Sequence, residues 1–241
     1  NRLEVSQLTE TETKKTILSE KELQTMWKLN GYTDEIIRGA LVQMAEKGEE
    51  PVISMGYDAP LAVLSEKPQS LFTYFKQQFA QVTNPPIDAI REQLVIGTEM
   101  FLGRDGDIRV DDAQNCQKLK IKSPVLSTAD FQKIAQLKTK AQTAVTISTL
   151  YLVGAPNALE DGLEQMFKEA ESAIDQGATI LILSDRGSEQ AKMALPILLA
   201  VSGLHNHLVR KGKASLASLV VDSAEVCEVH HFATLIGYGA S

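Results

Sequence analysis

The sequence predicts an α/β fold in which the last third of the chain forms parallel β-α units behind an N-terminal helical segment. Residues 179–183 (TILIL) are a continuous apolar run, which is typical of a strand in a sheet covered on both faces. Residues 159–176 repeat apolar side chains at helical spacing and end before Gly177. Strand and helix patterns alternate from there to Ser241, and this order indicates right-handed crossovers between parallel strands.

The predicted β-α part covers about residues 144–241. Its strands are expected at 144–152, 179–183 and 215–221, from their β-branched and apolar composition. Its helices are expected at 159–176, 194–209 and 224–236. Pro196 lies near the start of the second helix and Gly212 follows its end. Ser223, or Asp222 before it, is the expected cap of the third.

The preceding part, about residues 19–140, is predicted to be mainly helical, and 19–241 together are expected to form one domain. A capping box at Ser19 opens a helix that ends near Leu29. Thr33 caps a second helix, which Gly48 ends, so the two predict an antiparallel helical hairpin. Residues 1–18 are polar and without periodicity, which indicates a linker or an irregular arm.

Between the hairpin and the sheet the patterns are short. Residues 61–64 are a strand candidate, and the aromatic side chains at 74–79 have helical spacing. The apolar run at 94–97 fits either a helix or the start of a strand. Ser127, with an acidic residue three positions later, predicts a helix that carries Phe131 on its apolar face.

A rigid polar corner is predicted at Thr83-Asn84-Pro85-Pro86. Neither proline has a backbone N–H, and Pro85 disfavours helical geometry at Asn84. Asp88 is expected to cap a short helix that begins near residue 89. From spacing alone, a loop that only turns the chain is the simpler interpretation.

Composition excludes several classes of function. The net charge of −7 disfavours nonspecific nucleic-acid or anionic-membrane binding, and no apolar run approaches a membrane span. No signal peptide is recognisable. Cys116 and Cys227 are too few for a four-cysteine metal or iron–sulfur site, and free thiols are typical of a reducing compartment. The His205/His207 and His230/His231 pairs have spacings that point to different helix faces, so we expect packed or exposed histidines.

One polar pair lies where parallel α/β folds bind ligands, beyond the carboxyl end of a strand. Asp185 and Arg186 directly follow the 179–183 strand. They could bind an anion, or they could pair with each other and order the loop. The second interpretation is favoured because no nucleophile, second acid or Gly-rich phosphate loop accompanies them.

Four stretches, in order, resemble the central domain of the glutamate synthase large chain, of the ferredoxin- or NADPH-dependent type. They are residues 57–65 (YDAPLAVLS), 74–88 (YFKQQFAQVTNPPID), 180–187 (ILILSDRG) and 228–240 (EVHHFATLIGYGA). The resemblance runs from about residue 20 to Ser241. It implies a fold similar to a rudimentary, incomplete FMN-type (β/α) barrel.

The resemblance also implies a division of labour within a longer enzyme that makes glutamate from glutamine and 2-oxoglutarate. An amidotransferase domain with a terminal Cys releases ammonia, and a downstream domain with FMN and an iron–sulfur cluster reduces the imine. The central domain joins them without catalytic residues or a cofactor of its own, in the cytoplasm or a plastid stroma. Thr83 and Asn84 fall on the Thr-Asn pair at the entrance of the family's ammonia channel.

Two departures agree with an isolated domain. Asn1 is not the amidotransferase Cys, and the two cysteines cannot ligate the cluster. Two other functions stay open at this point: a stand-alone domain that binds a small anion through Asp185 and Arg186, and a purely structural spacer.

Overall fold

The computed structural model describes residues 3–9, 18–52, 56, 59–60, 63–66, 69–76, 78, 82, 85–107 and 109–241. The strands of this part of the chain are β1 (Leu3–Glu4), β2 (Met100–Leu102), β3 (Leu119–Ile121), β4 (Ala144–Ser148), β5 (Leu150–Leu152), β6 (Ile180–Ser184), β7 (Lys192–Ala194) and β8 (Ser218–Asp222). The helices are α1 (Glu20–Leu29), α2 (Asp34–Ile36), α3 (Val42–Lys47), α4 (Glu92–Val95), α5 (Thr128–Ala135), α6 (Ala158–Asp175), α7 (Ile197–Arg210) and α8 (Val229–Gly237). Together they are a mixed α/β architecture, and none of the described sheets closes into a barrel.

The central sheet has the order β4-β6-β8, and both of its pairings are parallel. This confirms the predicted parallel β-α units. Residue 181 pairs with 145 on one side and 219 on the other, so side chains of equal parity share a face. The five residues of β6 are buried, which the continuous apolar run predicted.

The two faces of this sheet carry two separate cores. On one face, Leu181, Leu183 and Leu219 pack with the apolar sides of α6, α7 and α8. On the other, Ile180 and Ile182 pack with α5, β2 and β3. Because α6 and α7 cover the same face, both crossovers wind the same way around the sheet.

The second core includes the start of the chain, which was predicted to be an irregular arm. Leu3–Glu4 pairs in parallel with β3, and Val5 is buried beneath the 3-10 turn Val5–Gln7. β2 pairs with the other edge of β3, in an antiparallel arrangement. The burial of Val5 explains why part of this polar stretch is ordered against the sheet.

The N-terminal helices form as predicted, with one addition. Ser19 and Glu22 make the capping box of α1. Thr33 caps α2, which continues through a π-helical segment, Ile37–Leu41, into α3. Gly48 ends that helix in the left-handed region, at φ 66°.

Several boundaries in the β-α part differ from the prediction. The 144–152 strand is two strands divided at Thr149, whose N–H still donates to the Ser184 carbonyl of β6 while its carbonyl accepts from the Leu195 N–H. β5 then pairs with β7 in an antiparallel arrangement. The last residue of β7, Ala194, was predicted to begin a helix. The predicted 224–236 helix begins five residues later, at Val229, and its first N–H donates to Glu50.

The middle of the chain is the least regular. Tyr74 ends a 3-10 helix that begins at Leu71, and Phe75 is extended, so the predicted aromatic helix is wrong there. Val63 of the strand candidate lies in an exposed turn, and residues 61–62 are outside the described part. The first half of the ambiguous apolar run, Leu94 and Val95, belongs to α4, and α5 follows its predicted Ser127 cap.

Candidate functional site

The carboxyl ends of β6 and β8 bring a set of ionisable side chains together. Asp185, the residue after β6, is buried, with 7% of its surface exposed. Its Oδ2 accepts hydrogen bonds from Ser223 Oγ at 2.6 Å and from the Ala224 N–H at 3.0 Å. Burial raises the pKa of the Asp185 carboxyl, and these two hydrogen bonds partly offset that rise.

Arg186 does not pair with its neighbour Asp185. Its guanidinium makes two hydrogen bonds to Asp222 at the end of β8, Nε to Oδ2 at 2.6 Å and Nη2 to Oδ1 at 2.9 Å. Ser184 also donates to Asp222, at 2.9 Å. The hydrogen bond to Asp222 is the main reason why the pKa of Arg186 is raised. Asp222 binds Arg186, and the helix begins only after Glu228, so the prediction that Ser223 or Asp222 caps the last helix is wrong.

A cleft of about 560 Å³ adjoins this end of the sheet. One wall comes from the residues after α1 and from the 3-10 helix near Phe72, and the other from the loops after β6, β7 and β8. The carboxylates that line it are Asp185, Glu225 and Glu228, and its described lining includes no Lys or Arg side chain. The described part of the cleft is therefore acidic.

Hydrogen bonds join the walls of the cleft and brace the loops that form them. The Tyr32 hydroxyl donates to the Ala224 carbonyl, and the Ser70 hydroxyl donates to Glu225 Oε1 at 3.0 Å. The other oxygen of Glu225 accepts from the Ile197 N–H at 2.9 Å, the first of α7. Burial raises the pKa of Tyr32 to about 12, with further contributions from nearby Cys227 and carboxylates, so its hydroxyl keeps its proton.

Cys227 and His231 lie together in the cleft in a pattern that superficially suggests a nucleophile and its base. The thiol sulfur is 3.9 Å from Nδ1 of His231, which also accepts from the Cys227 N–H at 3.2 Å. Burial raises the pKa of Cys227 to about 11, and burial also lowers the pKa of His231 to about 4. Both shifts favour the neutral pair, so near pH 7 neither a thiolate nor an imidazolium forms readily.

Three of the histidines, predicted to be packed or exposed, pack against aromatic rings or backbone in the described structure. His231 stacks on buried Phe72, with ring centroids 4.3 Å apart, and His230 Nε2 is 3.1 Å from the Phe72 carbonyl oxygen. His207 stacks on Phe167 and contacts Glu171. Among the described residues, no group of three or more His, Cys, Asp or Glu side chains could hold a metal ion.

Thr83 and Asn84, the predicted channel residues, lie outside the described residues. The chain next to them is exposed: Val82 on one side and Pro85 to Asp88 on the other. Asp88 Oδ1 accepts from the Ile90 N–H at 3.1 Å, and Oδ2 pairs with Arg91 at 3.2 Å. Asp88 thus caps a turn at 89–91, and the helix itself begins later, at Glu92.

Sequence reasoning missed most of the residues that line the cleft. Asp222 could have been found, because β8 runs parallel to β6 and the ends of parallel strands meet at one edge. Tyr32, between α1 and α2, and Glu50, which follows α3 and accepts from the first N–H of α8, carry no such signal, since they are far away in the sequence. Only the folded chain brings Tyr32 to the carbonyl of a residue 192 positions later.

The residues at this edge do not fit the cofactors of a flavin and iron–sulfur enzyme. A phosphate group binds where backbone N–H groups and positive charge converge, whereas Asp185, Asp222 and Glu225 make this edge acidic. The only cysteines of the sequence are Cys116 and Cys227, fewer than the thiolate ligands of a typical iron–sulfur cluster. The described residues at this edge of the sheet fit neither group.

Comparison with known proteins decides the family. Residues 25–241 match the model of the glutamate synthase central domain. This chain belongs to that family. It is 49% identical over 219 residues to the NADPH glutamate synthase large chain of Bacillus subtilis, covering 91% of this chain and 14% of the relative. It is 45% identical over 215 residues to ferredoxin-dependent glutamate synthase 2 of Synechocystis, covering 88% and 14%.

A third relative of this central domain is the chloroplastic ferredoxin-dependent glutamate synthase of Oryza sativa. The identity is 41% over 218 residues, which cover 88% of this chain and 13% of the relative. The chain thus spans about one seventh of the length of these large chains. In its described part, each helix is too short or too polar to cross a bilayer.

Proposed function

We propose that this chain is the non-catalytic connecting domain of a glutamate synthase. In this proposal, it joins an amidotransferase domain to a domain with FMN and an iron–sulfur cluster in one polypeptide, located in the cytoplasm or a plastid stroma. That polypeptide, an oxidoreductase, makes glutamate from glutamine and 2-oxoglutarate. The observation that carries the proposal is the match of residues 25–241 to the glutamate synthase central domain.

The chemistry of the strand ends supports a non-catalytic role. Asp185 and Glu225 are occupied in hydrogen bonds that hold loops and the start of α7. Cys227 and His231 have pKa shifts opposite to those that activate a thiol. The first test is the purified chain by itself. We expect no glutaminase activity, no glutamate synthesis and no retained flavin, whereas a yellow protein with stoichiometric FMN would contradict the proposal.

The small-anion alternative has less support. Arg186, the cation that would bind the anion, already makes two hydrogen bonds to Asp222. A free anion would have to compete with that carboxylate and approach the carboxylate of Asp185 as well. Titration with 2-oxoglutarate and inorganic phosphate tests this alternative, and we expect no saturable binding to the chain.

We further propose that Thr83 and Asn84 shape the passage for ammonia in the parent enzyme. The support is the family resemblance of the Thr-Asn-Pro-Pro stretch and the stiffness that Pro85 gives the residue before it. Uncharged polar groups suit the passage of neutral ammonia, since a carboxylate would favour ammonium. A rigid corner could therefore guide ammonia while both half-reactions proceed elsewhere.

The test is a full-length enzyme with Asn84→Lys, assayed for glutamine hydrolysed per glutamate formed. A charged, longer side chain should raise that ratio, because ammonia escapes while each half-reaction persists. Asn84→Ser is the matched control, since it stays small, polar and neutral and should keep the ratio near that of the parent. An unchanged ratio in the Asn84→Lys enzyme, with unchanged stability, would show that this stretch only turns the chain.

A further inference from the structure

One wall of the strand-end cleft has two parts that are held in place differently. The 3-10 helix Leu71–Tyr74 is anchored by Phe72, which is buried in the core that includes α7 and α8. The other part is the two-helix arm, residues 19–48, which consists of α1, a turn and the continuous helix of α2 and α3. In the part of the chain that the structure describes, both cores are built from residues outside 18–52.

The side chains of the two-helix arm bury little surface. Within residues 18–52, all of which the structure describes, Ala40 alone is buried, and α1 has no buried residue. Burial of apolar surface is the dominant favourable contribution to tertiary packing. A segment with few buried apolar contacts opens at a lower free energy than the core does. The arm therefore opens more readily than the rest of the described chain, which we call the body.

Hydrogen bonds join the arm to the body at its turn and just beyond its end. At the turn, the Tyr32 hydroxyl donates to the Ala224 carbonyl. Beyond the end, Glu50 accepts from the Val229 N–H at 2.7 Å. Gly48, at φ 66°, lies between the arm and this second bond, and glycine changes its backbone angles at little cost. Because the helix at 34–47 is about 20 Å long, a small rotation near Gly48 moves Tyr32 by several ångströms.

We propose that the two-helix arm is a hinged lid on the strand-end cleft, which pivots near Gly48 and is held closed by the hydrogen bond from Tyr32 to Ala224. Opening moves the turn away from the loop after β8 and exposes Cys227, which lines the cleft close to Tyr32. The body stays folded when the lid opens, because its two cores do not include the arm. The lid is independent of the proposed function, since it needs only the contacts within this chain.

Cys227 reports the opening, because its thiol is half-buried in the closed cleft. The measurement is the rate at which an aromatic disulfide reagent labels Cys227 in the native chain, with the exposed Cys116 replaced by serine in every protein. Tyr32→Phe keeps the ring and removes the hydroxyl that donates to Ala224. We expect it to speed labelling by about threefold to tenfold, as the loss of one hydrogen bond implies. A rate equal to that of the parent would overturn the proposal.

Ser70→Ala is the matched control. It also removes one hydrogen bond across the cleft, the bond from Ser70 to Glu225, but it does so beside the anchored 3-10 helix. We expect Cys227 in this variant to be labelled at nearly the rate of the parent. Equal acceleration by Tyr32→Phe and Ser70→Ala would show that labelling follows a general loss of stability, and would overturn the lid.

Urea separates opening of the lid from unfolding of the whole chain. The urea dependence of an opening reaction scales with the surface that it exposes. Because the lid exposes only the arm and the cleft, the logarithm of the Cys227 labelling rate should rise with urea much less steeply than the unfolding equilibrium of the same protein. Equal urea dependence of labelling and of global unfolding would mean that Cys227 reacts only in the unfolded chain, and would contradict a hinged lid.

Discussion

The carboxylate of Asp185 accepts a hydrogen bond from the backbone N–H of Ala224, at 3.0 Å. This contact joins the loop after β6 to the loop after β8. Together with the bond from Ser223, it holds residues 223–224 at the sheet end, outside the last helix. These bonds explain why the last helix begins at Val229 and not at residue 224 as predicted. They also give the buried carboxylate of Asp185 a structural role, at a position where related folds bind ligands.

The first prediction concerns Asp185. Asp185→Ala leaves a buried N–H and hydroxyl without their acceptor, and should lower the free energy of unfolding by about 1–3 kcal/mol. Asp185→Asn is the matched control, because its amide oxygen can accept the same bonds and the buried charge is lost, so it should cost less. Urea unfolding of the chain measures both.

The same pair separates structure from chemistry. In the full-length enzyme, Asp185→Asn should leave glutamate synthesis close to that of the parent. Loss of activity without loss of stability would contradict a structural role for Asp185.

The second prediction concerns pH. The pKa of His231 is about 4 in the folded chain, below its ordinary value of 6.5, chiefly because the ring is buried. Between these values the unfolded chain binds a proton at His231 that the folded chain does not, so stability is lost as the pH falls from about 6.5 to about 4. The contribution is on the order of 3 kcal/mol across that window.

His231→Gln provides the measurement. The amide oxygen can still accept from the Cys227 N–H, but it does not titrate, so the variant should lose stability less steeply between pH 6.5 and 4. Glu228 and Asp185, whose pKa values are raised chiefly by burial, contribute in the opposite direction. Both carboxylates remain in the variant, and Glu228 Oε2 lies 3.8 Å from His231 Nε2, so its own contribution is compared in a Glu228→Gln variant. Parallel stability curves for variant and parent would be inconsistent with a buried, neutral His231.

The third prediction compares two helical glycines. A Cβ at Gly162 in α6 would lie 2.6 Å from Tyr151 Cβ, while a Cβ at Gly39 meets nothing within 4 Å. Alanine at Gly39 should stabilise the chain by up to about 1 kcal/mol through helix propensity. At Gly162 the clash outweighs that gain, and alanine should cost about 1–3 kcal/mol. Thermal unfolding of both variants is the check, and similar shifts would show that α6 does not pack closely on β5.

The sequence predicted the elements whose signals are local. The apolar run of β6 fixed its burial on both faces, and the residues at Ser19, Thr33 and Ser127 marked helix starts because caps act within one turn. The parallel order of β4, β6 and β8 followed from alternating helices and strands. The prediction failed where tertiary contacts compete. The Thr149 carbonyl accepts from the Leu195 N–H where the predicted strand divides, and Asp222 binds Arg186 instead of capping a helix.

The sequence predicts where the cleft lies, but not which residues meet in it or how their pKa values shift. Asp185 and Arg186 follow a parallel strand, which indicates the ligand-binding edge. The remaining contacts depend on long-range approach, as between Glu50 and Val229, 179 residues apart. Burial, which sets the pKa shifts of Cys227 and His231, is likewise a property of the folded chain.

The central claim is that this domain belongs to an enzyme in which ammonia passes internally between distant sites. The most direct measurement supplies the full-length enzyme with glutamine labelled with ¹⁵N at the amide, in excess unlabelled ammonium. We predict that the new amino group of glutamate keeps nearly all of the label in the parent enzyme, and that Asn84→Lys loses a large part of it while Asn84→Ser does not. Dilution of the label to the level of bulk ammonium in the parent enzyme would contradict the account.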